Sequence, residues 1–164
     1  MAVIKVIRNT YGGVEYIQNA CQYIHNSKYM KRCSGFGVCA NDYMKAAAEM
    51  ILVRRFFHKE SGNPLFHIVV AFDDTIKDEE LAWSYLVTIA SFFAPTNQVY
   101  FAMHGKDENC PHLHGHLVVN SVSYVNGKMF NTDEEIPVFK HIVEETIGQK
   151  CKMAYADKKD KKKS

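Results

Sequence analysis

The chain has 164 residues, 47% of them hydrophobic, and a formal net charge of +2 at pH 7. This length and composition predict one globular domain with a substantial core. No apolar run is long enough to cross a membrane, and the alternating residues 1–8 are not expected to be a signal peptide. The five cysteines include no Cys-x-x-Cys pair, which favours a reduced, cytoplasmic protein.

Hydrophobic periodicity and turn residues predict alternating strands and helices. In chain order, the first half predicts a strand at 2–8, a turn at 9–13, a helix at 14–25, an irregular segment at 26–39, a helix at 42–59 capped by Asn41, and a strand at 65–72. The second half predicts a helix at 78–93, strands at 98–104 and 112–120, a hairpin at 122–130 with a type I′ turn at Asn126-Gly127, a helix at 137–147 and a short strand at 150–155.

The link between the strands at 98–104 and 112–120 is short, so these two strands must be antiparallel. We therefore predict an α+β fold, with an antiparallel sheet and helices packed against it. The predicted domain covers residues 1–156, and the Lys-rich residues 157–164 are predicted to be a disordered tail.

Histidines dominate the segment that joins these two strands. Four of the eight histidines lie between residues 104 and 116, and His112, His114 and His116 alternate. Alternate residues of a strand share one face, and the turn at 105–111 returns the chain beside His104. Such converging imidazoles suit Zn, Mn, Fe, Co, Ni or Cu and leave positions open for water or substrate. The alternative is a set of ordinary polar residues on a solvated sheet face.

The same residues resemble a known family. His104, the His112-x-His114-x-His116 pattern and residues 118–124 with Gly127-Lys128 resemble the relaxases, or mobilisation nucleases, of conjugative and mobilisable elements. These belong to the HUH class of single-strand DNA endonucleases. Tyr23-Ile24-His25-Asn26 resembles the family's nucleophile motif, and residues 66–72, including His67, resemble its second strand motif. The resemblance covers about residues 2–155.

The resemblance implies a five-stranded antiparallel sheet with helices, related to that of rolling-circle replication initiators. It also implies that His104, His112 and His114 hold a divalent ion, Mg or Mn, with His116 as a candidate fourth contact. Tyr23 would attack a phosphodiester at the nick site of a transfer origin, remain joined to the 5′ end of the strand and leave a free 3′ hydroxyl. A metal suits this chemistry because a phenol, of pKa about 10, is mostly protonated at neutral pH.

Several assignments stay open from sequence. Tyr16, Tyr11 and Tyr29 are alternatives to Tyr23 as nucleophile, and each could equally be a tyrosine that covers the sheet. Asp107 either orients a ligand imidazole or shapes the turn. His67 is either part of the site or a hydrogen-bonded core residue.

Binding of DNA is expected through the basic first part of the chain, in which the first 60 residues hold nine Lys and Arg against four Asp and Glu. Lys28, Lys31 and Arg32 lie beside Tyr23 in the sequence and are candidate contacts to single-stranded DNA, with solvated surface charge as the alternative. Asn120 is a further candidate contact, and its alternative is to order the end of its strand. Accessory relaxosome proteins are expected partners. A rolling-circle replication initiator, a non-catalytic DNA-binding remnant and a metal-dependent hydrolase of small substrates are the alternative functions.

Overall fold

The computed structural model describes residues 1–9 and 14–158. Within them the strands are β1 (Ala2–Asn9), β2 (Met30–Phe36), β3 (Leu65–Ala71), β4 (Val99–His104), β5 (His114–Asn120) and β6 (Cys151–Lys158). The helices are α1 (Val14–Asn26), α2 (Tyr43–Phe56), α3 (Glu79–Ala90) and α4 (Thr132–Ile147). No helix in this part of the chain is long and apolar enough to span a bilayer. Tyr11, most of the predicted turn at 9–13 and residues 159–164 lie outside the described residues.

The six strands form one sheet in the order β2-β4-β5-β3-β1-β6. Neighbouring strands are antiparallel except β6, which runs parallel to β1. The predicted α+β class with a mainly antiparallel sheet is confirmed. Strand β6 continues to Lys158, two residues beyond the predicted end of the domain.

The predicted irregular segment at 26–39 was wrong, because it contains β2. This strand has no hydrophobic alternation, and a register shift between Met30 and Arg32 interrupts its pairing with β4. Pairing with β4 therefore makes this segment a strand, and its own sequence pattern does not reveal it. A bulge and two cationic residues are also typical of an edge strand that avoids pairing with another chain.

The sheet has a helix layer on each face. On β4, Tyr100 and Ala102 pack with α1 and α2, whereas Val99, Phe101 and Met103 pack with α3 and α4. On β5, Val118 faces α1 and α2, and Leu117 and Val119 face the other layer. Since side chains alternate along a strand, His104, His114 and His116 belong to the face that carries α1 and α2.

Capping side chains explain where two helices begin. The N-cap of α2 is Asp42 and not Asn41, because the Asp42 carboxylate accepts from the amides of Met44 and Lys45. Helix α4 begins five residues before the predicted Pro137. Asn131 caps it by accepting from the amides of Asp133 and Glu134, and the Glu135 carboxylate accepts from the Asn131 amide in return.

The predicted hairpin at 122–130 is a single bridge between Val122 and Met129, and its turn is not type I′. A type I′ turn needs positive φ at both central residues, and here Gly127 has a φ of 74° but Asn126 is not positive. A Cβ on Gly127 would lie 2.5 Å from the Phe57 ring, so this glycine also permits close packing of the loop on α2.

Gly115 is a position in the central sheet with little room for a side chain. A Cβ there would lie 2.3 Å and 2.8 Å from the two methyl carbons of Leu86 on α3. We expect Gly115→Ala to lower the free energy of unfolding by about 1–3 kcal/mol through overpacking. Urea denaturation checks this, and Gly115→Ala combined with Leu86→Ala should lose less than the sum of the two single changes. Strict additivity would contradict the proposed clash.

Candidate active site

Three imidazoles converge where β4 ends and β5 begins. His104 and His114 are directly opposite partners in the two strands, and His116, opposite Ala102, lies diagonally beside His104. All three side chains are buried, and one ring nitrogen from each lies within 4.8 Å of the other two. The ring centroids are separated by 4.3 Å for His104 and His116 and by 5.1 Å for His114 and His116. This spacing suits one shared metal ion.

Each of these imidazoles uses its second ring nitrogen in a hydrogen bond. His104 Nε2 donates to the carbonyl oxygen of Ile24 (2.8 Å), and His114 Nδ1 donates to that of His112 (2.9 Å). His116 Nδ1 lies 2.8 Å from Nε2 of His67. These partners leave His104 Nδ1 and His116 Nε2 available to a metal, together with His114 Nε2, which also contacts Asp107. Histidines that bind metals are characteristically oriented in this way, so the donor set fits a divalent ion.

Burial favours the neutral form of two of the three histidines. It lowers the pKa of His104, and it lowers the pKa of His116 well below 6.5 with help from the neighbouring His67, His104 and His114. Neutral imidazole is the form that binds a metal. Burial also acts to lower the pKa of His114, but hydrogen bonds with Cys110 and the His112 carbonyl, together with the Asp107 charge, raise it overall.

Asp107 joins the turn to the histidine trio. Its Oδ1 accepts from the backbone amides of Asn109 and Cys110, both at 2.8 Å, which fixes the turn. Its Oδ2 lies 3.1 Å from His114 Nε2, the nitrogen that faces the centre. The predicted role in the turn therefore has contacts in the structure, whereas the contact with His114 is made to the nitrogen left for a metal, so that a negative charge stands at the rim of the site.

His112 does not belong to this group. Strand β5 begins at His114, so the alternation that aligns His114 with His116 does not extend back to His112. The side chain of His112 is half-buried, and its carbonyl oxygen accepts from His114. The group that the structure brings together is thus His104, His114 and His116, in place of the predicted His104, His112 and His114.

Tyr23 lies beside the trio on the last turns of α1. Its ring is 5.9 Å from that of His116 and 6.1 Å from that of His67, and 57% of the residue is exposed. The next residue, Ile24, supplies the carbonyl that accepts from His104. The hydrogen bond from His104 to Ile24 therefore holds the turn of α1 that carries Tyr23 beside the trio, while the Tyr23 side chain remains exposed to solvent.

The other tyrosines are placed differently. Tyr29 lines the same cavity of about 440 Å³ as Tyr23, His104 and Asp107, and its hydroxyl donates weakly to Glu108 (3.4 Å). Tyr16 is half-buried against the core between α1, α2 and the sheet. Tyr11 lies outside the described residues.

Two of the three cations predicted to contact DNA are already paired with acidic side chains of the protein. Lys31 lies 3.4 Å from Glu79, and Arg32 pairs with Glu80 while stacking over Trp83. The ammonium of Lys28 lies 5.1 Å from the centre of the Tyr29 ring, beside the cavity. The structure therefore leaves Lys28 as the better placed of the three to meet a strand in that cavity.

The DNA contact predicted for Asn120 was wrong. Asn120 is buried, and its amide nitrogen donates to the Met50 carbonyl (3.2 Å) and to Gln98 Oε1 (2.9 Å). Its Oδ1 accepts from the Val122 amide. The residue therefore joins α2 to the far end of β5.

His67 has a role that the sequence left open. It is buried on β3 directly opposite Val118, on the face of the sheet that carries the trio. His67 Nε2 lies 2.8 Å from His116 Nδ1, and when it accepts this hydrogen bond, His116 is in the tautomer that leaves its Nε2 for a metal. The sequence signal was the place of His67 in the alternation of β3. Once β3 pairs with β5, this place puts His67 on the same face as His114 and His116.

We expect His67→Leu to weaken binding of Mn²⁺ about 10- to 100-fold, the usual effect of losing the partner of a ligand. His67→Gln, which can still accept a hydrogen bond, should recover part of the loss. Calorimetric titration of the metal checks this, with thermal unfolding as the control for folding. Equal affinity in His67→Leu and the unmodified protein would contradict the orienting role.

Comparison with known proteins gives one family. The sequence model of the relaxase family described as "MobA/VirD2-like, nuclease domain" matches residues 16–164, which include α1 from its third residue, with Tyr23, and the whole histidine segment. A comparison with curated proteins gave no match. Because the family model covers most of the chain, the chain belongs to the relaxase family as a MobA/VirD2-like nuclease domain.

Proposed function

We propose that this domain is a metal-dependent, site- and strand-specific DNA endonuclease and strand transferase. It nicks single-stranded DNA at a transfer origin, through a 5′-phosphotyrosine intermediate, for mobilisation of a plasmid or related element. The observation that carries the proposal is an exposed Tyr23 ring within 6 Å of a metal-suited histidine trio. A solvated sheet face would need neither the buried imidazoles nor their individual hydrogen-bond partners.

His104, His114 and His116 are the residues that would hold the ion, and Mn or Mg is the proposed metal. A divalent ion there would polarise a phosphate and offset the negative charge that develops on it. The three imidazoles are oriented before any ion arrives, because the Ile24 carbonyl, the His112 carbonyl and His67 each fix one ring. Preorganisation of this kind lowers the reorganisation needed during the reaction.

Tyr23 supplies the nucleophile in this proposal. Its phenolic oxygen forms a bond to phosphorus while the bond from phosphorus to the 3′ oxygen breaks. The phenolic proton passes to solvent, and the 3′ oxygen takes up a proton and leaves as a free hydroxyl. One phosphoester bond replaces another, so the reverse attack by the 3′ hydroxyl can rejoin the strand without ATP.

The cavity beside Tyr23 is where we place the strand. It lies against Tyr23, His104 and Asp107, and Lys28 stands at its margin. Asp107 repels a phosphate unless a cation lies between them, so its position favours entry of DNA together with the metal. All five cysteines are free, in keeping with the cytoplasmic location that we propose, and accessory relaxosome proteins are proposed partners.

The experiment is a gel assay for covalent adducts. Labelled single-stranded oligonucleotides that tile the transfer region, and a separate set from the replication origin, are incubated with the protein and Mn²⁺, or with EDTA, and boiled in SDS. We expect a DNA-bearing protein band only with metal. Absence of a band across all oligonucleotides, with the metal demonstrably bound, would support a DNA-binding remnant or a small-substrate hydrolase. A band formed only with replication-origin DNA would support the rolling-circle initiator.

A further inference from the structure

Helix α2 carries a second apolar face that is largely exposed in the described part of the chain. Its inner face is buried through Ala46, Ala47, Met50 and Ile51. Met44, Ala48, Leu52 and Phe56 follow one another at intervals of four on the outer face, and we call these residues the α2 outer stripe. Met44 is 68% exposed, Leu52 61% and Phe56 76%. A solvated helix face is ordinarily polar, so this stripe calls for a partner.

The stripe continues into a groove at the end of the helix. A cavity of about 570 Å³ lies between Leu52, Phe56, Phe57 and Tyr124. The groove has a fixed wall, because Gly127 lets its loop approach the Phe57 ring and Tyr124 donates to the Ala94 carbonyl at 2.6 Å. An exposed stripe with a groove at one end is a shape that accepts a helix laid across it.

The charges around the stripe identify the kind of partner. Lys45 and Arg55 flank it on its two sides, and Lys59 follows the helix. The acid of α2, Glu49, already accepts from the Cys39 amide at 3.1 Å. A second copy of α2 would set Lys45 and Arg55 against like charges, and single-stranded DNA would find an aromatic ring on the stripe only at Phe56. A helix with an apolar face and acidic residues on both sides of it would match the apolar side chains of the stripe and the cations that flank them.

The position of the stripe leaves the candidate active site open. Arg54, on the buried side of α2, donates to the Pro64 carbonyl and to Ser121, which follows the last residue of β5. The histidine trio lies at the first residues of β5, and a strand of seven residues spans roughly 20 Å. We propose that the α2 outer stripe is a docking surface for an acidic amphipathic helix of a partner protein, which binds without covering the histidine trio. This inference does not depend on the nicking activity.

The test uses a displayed library of amphipathic helices of about 18 residues with a fixed leucine face, in which the flanking positions vary among Glu, Lys and Ala. Selection is made on the full chain, with subtraction on Leu52→Ser/Phe56→Ser; both sites are exposed, so the fold should persist, as circular dichroism would verify. We expect Glu-flanked helices to be enriched and to bind the full chain at least about tenfold more tightly than the double variant. Val138→Ser, an exposed apolar position on α4, is the matched control and should bind normally.

The charge reversal Lys45→Glu/Arg55→Glu should turn the preference toward Lys-flanked helices. Enrichment of Lys-flanked helices on the unmodified chain, or no helix that distinguishes it from the double variant, would overturn the proposal. Two further results would also overturn it: oligo(dT) binding that Leu52→Ser/Phe56→Ser removes, and a dimer in sedimentation that the same variant dissociates. Metal affinity, measured in parallel, should stay unchanged in every α2 variant.

Discussion

Tyr23→Phe is expected to abolish the covalent protein–DNA band and to slow strand cleavage at least about 1000-fold, as losing a nucleophile does in other enzymes that use covalent catalysis. The substitution removes one oxygen and keeps the ring that packs against His67 and His116. Metal affinity should remain unchanged, because the three rings are held by the Ile24 carbonyl, the His112 carbonyl and His67, and not by the Tyr23 side chain. The adduct gel and a calorimetric metal titration together measure both effects.

The other tyrosines provide controls of graded strength. Tyr29→Phe is the closest match, because Tyr29 lines the same cavity, and we expect it to keep the covalent band. Tyr16→Phe changes a half-buried residue of the core, and Tyr11→Phe changes one outside the described residues. If the band survives in Tyr23→Phe and disappears in Tyr29→Phe, the nucleophile is Tyr29 and the domain keeps its class of chemistry. Loss of metal binding in Tyr23→Phe would instead indicate that the ring supports the trio structurally.

The sequence predicted that the histidines meet because one short link forces β4 and β5 to be antiparallel. It could not predict where β5 begins, since His112, His114 and His116 obey the same alternation and only pairing ends the strand. In the structure β5 begins only at His114, and Asp107 contributes to this. It holds the turn by its bonds to the amides of Asn109 and Cys110, so His112 remains in the turn and contributes its carbonyl.

The remaining differences arise from contacts between distant segments. The Ile24 carbonyl is a backbone group, and no side-chain motif marks it as the partner of His104, 80 residues away. Arg32 appeared as a free cation in the sequence, but the first turn of α3 brings Glu80 to it from 48 residues downstream. Likewise, β2 is a strand because β4 presents an edge to it. Local patterns carry no information on such pairings, whereas the helix α1 and the shared face of His114 and His116 follow from local patterns and were predicted.

Mn²⁺ affinities of single histidine substitutions distinguish the ligand trio predicted from the sequence from the trio found in the structure. We expect His104→Gln, His114→Gln and His116→Gln each to weaken Mn²⁺ binding more than about 100-fold, because losing even a partner of a ligand costs about 10- to 100-fold. His112→Gln should leave the affinity within about threefold, since its contribution is a carbonyl that the substitution retains. Calorimetry with thermal unfolding as the folding control measures this. A strong loss in His112→Gln with none in His116→Gln would restore the sequence-based trio, and would require β5 to begin two residues earlier once metal is bound.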